Sequence, residues 1–167
     1  MKDNRQHNLT RILFAVYFLI LVWILLFKMS FSIDELYKNR SINIIPFMGS
    51  VIANGRIYIS EIINNIVVFI PVGIYVCMLK KDWPILKKIS VGFFISLCIE
   101  VLQFVLAIGA TDITDLLGNS FGGIVGIGVF YLFSKVFKNK TNNIVNILAL
   151  IATILLIVLI SILFFVN

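Results

Sequence analysis

Five stretches of this chain run sixteen to twenty residues with no charge except one glutamate: Ile12 to Phe27, Ile62 to Leu79, Ile89 to Ile108, Leu116 to Ser134 and Ile147 to Val166, the exception being Glu100. About twenty predominantly apolar residues cross the hydrocarbon core of a bilayer as a helix, so each stretch has the reach of a span. Arg11 and Lys28 extend the first stretch, because their stems can lie along a helix while their charges reach the interface. The segment that follows, Lys28-Met29-Ser30-Phe31, offers no small-residue cleavage pattern, so the first run reads as a span and not as a cleaved leader. With short connectors the runs use up the 167 residues. Composition agrees: 60% of residues are hydrophobic and 13% charged, against roughly half and about a quarter in soluble domains. A soluble monomer of this size with so few charges would expose a larger contiguous apolar surface than such proteins tolerate. The expected fold is all-α, a single polytopic membrane helix bundle with five transmembrane helices over residues 1–167, the last run (144–166) serving as a lipid-facing anchor.

Ten lysines and four arginines against eight acids give a formal charge of +6. They form no continuous stripe of the kind that binds nucleic acid, and lie at the ends of the apolar runs. The N-terminus (Lys2, Arg5, Arg11), the connector with Lys80, Lys81, Lys87 and Lys88, and the segment with Lys135, Lys138 and Lys140 alternate onto one side and hold ten of the fourteen. Lys28, Lys38, Arg40 and Arg56 fall on the other. The positive-inside rule then predicts a cytoplasmic N-terminus and an external C-terminus. Phe31 to Ser60, interrupted by Pro46 and by the turn formers Gly49, Asn54 and Gly55, reads as an external or partly re-entrant connection.

Cys77 and Cys98 lie inside apolar runs with no Cys-x-x-Cys pair, and His7 is the sole histidine, in the N-terminal tail. That excludes a disulfide framework and a zinc site, and no dense loop of oxygen ligands points to a hard cation, so no metal or cofactor is expected.

The polar residues within the spans are few and patterned. At 100° per residue, Gly92, Ser96, Glu100, Gln103 and Ala107 fall within an arc of about 80° on the third span. If the fourth helix begins before Asp112, then Asp112, Asp115, Gly118, Asn119, Gly122, Gly123 and Gly126 share about 140° of it. Gly118, Gly122 and Gly126 repeat every four residues, which clears one stripe of side chains and admits a neighbouring backbone. Pro71 frees the carbonyl of Val67 and is expected to kink the second helix beside Gly73. In the predicted topology Glu61, Asn64 and Asn65, Glu100 and Gln103, and Asp112, Asp115 and Asn119 all fall in the outer half of the membrane, beneath the connection that carries Arg40, Asn43 and Arg56. An alternative reading has Asp112 capping the fourth helix, Asn64 and Asn65 bonding neighbouring carbonyls, and Glu100 protonated. Intramembrane ionisable residues more often mark a site, here an outward-facing polar pocket.

Arg40, then Asn43-Ile44-Ile45-Pro46-Phe47; Asn65 followed by Phe69-Ile70-Pro71-Val72-Gly73; Glu100 with Gln103; and Asp112-Ile113-Thr114-Asp115 followed by Asn119, Gly122 and Gly123 stand in that order along the chain. In order and spacing this set resembles the VanZ-like family of bacterial membrane proteins, over about residues 40–126. Some members carry a basic residue just before the Asp-Ile-x-Asp motif, where this chain has Gly109-Ala110-Thr111. The resemblance implies a multi-pass protein of the bacterial cell membrane and an association with resistance to teicoplanin-type lipoglycopeptide antibiotics. It implies no particular biochemical mechanism.

Three functions compete. The first is a non-enzymatic site, open to the outer leaflet, that binds a membrane lipid, a lipid-linked cell-wall precursor or an amphiphilic antibiotic. Arg40 would contact an anionic head group there, and Asn43, Asn65, Glu100, Gln103, Asp112, Asp115 and Asn119 its polar groups. The second is a membrane enzyme in which Glu100 and Asp112 or Asp115 act as acid and base on a lipid or cell-wall precursor. The third is a small transporter with Glu100 as its proton site, against which stands the lack of an internal repeat. The sequence leaves the oligomeric state open.

Overall fold

A computed structural model describes residues 2–27, 39–47, 51–53, 56–57 and 59–166. Among these, five long helices appear: α1 (Lys2–Phe27), α2 (Ile59–Leu79), α3 (Ile85–Leu106), α4 (Ile113–Phe137) and α5 (Thr141–Val166). Four helical stretches are long and apolar enough to cross a membrane, the fourth being a 50-residue stretch, Ile113–Ile162, that contains both α4 and α5. Between those two, Lys138 takes a positive φ of 48° and opens a 3-10 turn, Lys138–Lys140. Four short strands complete the description: β1 (Asn39–Asn43), β2 (Val51–Ala53), β3 (Arg56–Ile57) and β4 (Ile108–Asp112). The expectation of an all-α chain is corrected to that extent.

The centre of the bundle is the pairing of α2 with α4, and it depends on missing side chains. A Cβ built on Gly122 would collide with the Ile66 carbonyl, and one on Gly126 with the Ile70 carbonyl. A Cβ on Gly73 would collide with the Gly123 carbonyl, so the close approach is built from both helices. Gly118 completes the series, its Cβ position 3.4 Å from that of Asn65. The contacts ascend together along both helices, so α2 and α4 run parallel. On its other flank Gly123 meets α3, where a Cβ would lie 3.8 Å from the Cα of Gly92. Lipid is as apolar as leucine, so such a pairing gains little from hydrophobic transfer and relies on close packing and interhelical hydrogen bonds.

α1 closes the other side. Leu21 and Leu26 join Phe69, Val72 and Ile99 in one buried cluster, while Leu13 joins Tyr75, Met78, Ile127 and Phe130 in a second. The Tyr17 hydroxyl donates to the carbonyl of Val68, within one turn of Pro71, and α2 continues through that proline. α5 is exposed along much of its length, while its first turns are tied to α1 by side chains. Thr10 Oγ1 donates to Asn146 Oδ1 (3.0 Å), Asn146 Nδ2 to Gln6 Oε1 (2.8 Å), and Gln6 Nε2 to Asn143 Oδ1 (3.0 Å). The starts of α1, α3 and α5 and the ends of α2 and α4 therefore share one end of the bundle; the strands lie at the other.

At that second end β1 pairs with β4 in parallel, Asn39 opposite Ile108 through Asn43 opposite Asp112. Strand pairing satisfies the backbone groups of two non-helical segments that sit against the bundle, where unpaired groups would be costly. The connection expected as external or re-entrant is described only in part, and its cationic side chains, Arg40 and Arg56 included, lie outside the described residues.

Candidate functional site

The polar residues singled out above meet where α3 ends and α4 begins. α3 stops at Leu106 because Ala107 takes the left-handed conformation (φ 56°), its N–H still reaching the Gln103 and Phe104 carbonyls. The run expected to stay helical to Ile108 thus turns two residues early into β4. That strand folds back along α3: Thr111 Oγ1 donates to the Glu100 carbonyl (3.1 Å) and the Asp112 N–H to Glu100 Oε2 (3.0 Å). Glu100 is only 3% exposed, and a carboxylate at that depth requires donors of this kind.

Asp112 was expected on the helical face of α4 and is corrected here. Helix α4 begins at Ile113, and Asp112 is extended (φ −122°, ψ 124°) at the capping position. Its Oδ1 accepts from the N–H of Thr114 at 2.7 Å, and its Oδ2 accepts from Asn43 Nδ2 at 3.0 Å. A carboxylate there satisfies an orphan helix donor and complements the positive end of the helix dipole. Asn43 in turn accepts from the Ile45 N–H (3.3 Å), and the Phe47 N–H donates to Thr114 Oγ1 (2.9 Å). The Asn43-to-Phe47 turn is thereby fastened onto the first turn of α4.

Two further pairs line the α4 face below. Asn65 Nδ2 donates to Asp115 Oδ1 across 2.6 Å, joining α2 to α4. Asn119 Nδ2 donates to Ser96 Oγ at 2.9 Å, joining α4 to α3. Asn119 is 1% exposed, and its Oδ1 has no hydrogen-bond partner among the described residues. Gln103 departs from the group: its Nε2 donates to the Leu25 carbonyl of α1 (2.9 Å), so it works as a tie between helices.

The structure thus joins Asn43 and Glu100 through Asp112, sets Asn65, Asp115 and Asn119 one or two turns deeper, and turns Gln103 toward α1. Arg40 contributes its backbone to β1 opposite Gly109, and its side chain lies outside the described residues. Sequence reasoning passed over Thr111 and Thr114, although a threonine in the first turn of a helix is well placed to bond nearby backbone. Chemically, both oxygens of Asp112 are committed as acceptors, which makes it an organiser of backbone and a poor general base. Among the described residues no three His, Cys, Asp or Glu side chains gather as a metal cage would need.

The chain matches known proteins along most of its length. The family model described as VanZ/LLP1 matches residues 14–137, which includes α2, α3, α4 and the β1–β4 ladder. The chain is 37% identical to Protein VanZ of Enterococcus faecium over 134 residues, covering 79% of this chain and 80% of that protein. No solved structure matches it. A family match spanning every element that builds the cluster, together with that identity, establishes that this membrane protein belongs to the VanZ/LLP1 family.

Proposed function

We propose that the chain crosses the bacterial cell membrane five times, with its N-terminus in the cytoplasm and its C-terminus outside. We further propose that the Asn43, Glu100 and Asp112 cluster opens outward to bind a lipid-linked or amphiphilic ligand, and that this binding contributes to tolerance of teicoplanin-type lipoglycopeptides. Five crossings are supported by the 3-10 turn after α4 and by the side-chain ties that lay α5 beside α1. The orientation is supported by the ten basic residues gathered at the end of the bundle away from the strands.

The observation that carries the binding reading is the convergence of three separate segments on one polar spot inside an otherwise apolar bundle: Asn43 from β1, Glu100 from α3 and Asp112 from β4. Capping a helix needs Asp112 alone; Glu100 buries a second carboxyl group beside it. Glu100→Gln and Asp115→Asn keep side-chain volume while changing charge, and Arg40→Lys removes a bidentate donor. In a host where the protein raises teicoplanin tolerance, all three variants should reach the membrane at normal abundance and lose tolerance. Full tolerance in all three at normal abundance rejects the site.

A further inference from the structure

The end of the bundle opposite the strands carries a second cleft. A crevice of about 900 Å³ opens between the starts of α1 and α5 and the ends of α2 and α4. Its cationic walls are Lys81, Lys88 and Lys138, and Asp82 is the one carboxylate among the described residues that line it. Lys88 is only 4% exposed. Its ammonium donates to the Lys81 carbonyl (3.0 Å) and the Tyr131 hydroxyl (3.2 Å), and stands 5.5 Å from the centre of the Tyr131 ring. These partners are neutral, and they use two of its three protons. A buried ammonium served by neutral acceptors, flanked by two exposed lysines, is electrostatically incomplete and complementary to an anion.

Directly beyond this crevice, and sharing Phe130 with it as a wall, runs a groove of about 370 Å³ between α1, α2, α4 and α5. Ile20, Ile74, Val129, Leu148, Ala152 and Leu156 line it. Three hydroxyl-bearing side chains line it, Tyr17, Tyr75 and Thr153, and two of them are engaged within the protein: the Tyr17 hydroxyl donates to the Val68 carbonyl, and Thr153 Oγ1 to the Ala149 carbonyl at 2.8 Å. Such a groove offers dispersion contacts and scarcely any hydrogen bonds, so its occupant is hydrocarbon.

We infer that the two cavities form one site for an anionic glycerophospholipid, with its phosphate against Lys81, Lys88 and Lys138 and one acyl chain in the groove beneath. The order of the parts, cationic at the end of the bundle and apolar toward its middle, is the order of head group and tail in a leaflet. Basic pockets between membrane helices on the cytoplasmic side hold anionic head groups by the same physics. The site lies at the far end from the Asn43, Glu100 and Asp112 cluster and stands or falls separately from it. Only the assignment to the inner leaflet rests on the proposed orientation.

The test uses the full chain purified in mild detergent, with lipid retention read by native mass spectrometry. The probes are phosphatidylglycerol and phosphatidylcholine with identical acyl chains. Lys88 also braces the turn between α2 and α3, so the charge variant is Lys81→Gln with Lys138→Gln, both exposed positions. The groove variant is Ala152→Phe. One phosphatidylglycerol per chain should be retained about tenfold better than phosphatidylcholine, given about 1 kcal/mol for each lysine near an anionic head group less screening. The charge variant, which keeps Lys88, should lower that preference several-fold, and Ala152→Phe should lower retention of both lipids alike. Equal retention of the two lipids by the unaltered chain overturns the proposal, as does an unchanged preference in the charge variant. Displacement of the lipid by inorganic phosphate as readily as by more phosphatidylglycerol would make it a soluble-anion site. A lipid-free dimer would give the groove to a second copy.

Discussion

The backbone N–H of Asp112 donates to the side chain of Glu100 at 3.0 Å, across twelve residues of chain. One bond thus fixes where α3 ends, how β4 leaves it, and where the carboxylate that caps α4 must stand. Glu100 consequently does two things at once: it places a carboxyl group within the bundle and it anchors the turn into β4. Variants at this position separate those roles only when abundance is measured beside function.

Removing the cap should weaken the start of α4. Asp112→Ala loses the acceptor for the Thr114 N–H and leaves Asn43 Nδ2 without its carboxylate, a loss of about 1 kcal/mol for the cap alone. Asp112→Asn keeps an acceptor oxygen. Thermal unfolding in detergent should rank the unaltered chain above Asp112→Asn, and Asp112→Asn above Asp112→Ala; an Ala variant as stable as the Asn variant would show that the cap contributes nothing.

Gly122→Leu and Gly128→Leu make the same chemical change on two faces of α4. The first drives a side chain into the Ile66 backbone carbonyl, whereas a Cβ at Gly128 meets nothing within 4 Å. Overpacking against backbone that cannot yield costs about 1–3 kcal/mol or more. Gly122→Leu should lower the detergent melting temperature or abolish folding, and Gly128→Leu should leave it nearly unchanged. Equal melting temperatures refute the assigned face.

The junction of α5 with α1 can be tested by a double-mutant cycle. Thr10→Val and Asn146→Leu each remove one partner of the 3.0 Å bond between these side chains. Coupling energies for interhelical hydrogen bonds in membranes average about 0.6 kcal/mol and reach about 1.7. A positive coupling in that range is expected from reversible unfolding in mixed micelles; strict additivity would mean that the Thr10–Asn146 bond contributes nothing to the junction.

For the orientation, single cysteines are placed at Asp82, Asn139 and Asn54 in a chain whose free thiols, Cys77 and Cys98, have been replaced. An impermeant reagent added to intact cells should label position 54 and spare positions 82 and 139. The reverse pattern would invert the topology.

The helices were legible because their signal is local. Uncharged runs located all five helices, bounding α2 to α4 to within four residues while α1 begins ten and α5 six residues ahead of its run, and the four-residue spacing of Gly118, Gly122 and Gly126 identified the face on which α4 meets α2. The grouping of Glu100 with Asp112 and Asn43 was legible only as a set of polar positions at similar depth. What joins them is a parallel strand pair between segments far apart in the chain, and no local periodicity announces such a pairing. Ala107 hid the end of α3, since an alanine in an apolar run reads as helix and its left-handed turn is imposed by tertiary contacts. Asp112 satisfied two templates, cap and helical face, and the cap won because its own N–H was already engaged by Glu100. Asn146 lay in a run that reads as lipid-facing, and its partners Thr10 and Gln6 come from the other end of the sequence.

The β1–β4 ladder also orders events in time. Asn43 leaves the ribosome 69 residues ahead of Asp112, the residue with which it pairs, and α2 and α3 are made in between. The polar spot cannot exist in a partly synthesised chain, because one wall is made first and the other only after both intervening helices have been released. A chain stalled after α3 would hold Glu100 without the Asp112 amide that engages it. The same bond that shapes the finished site therefore forms last, and its presence distinguishes a completed junction from a truncated one.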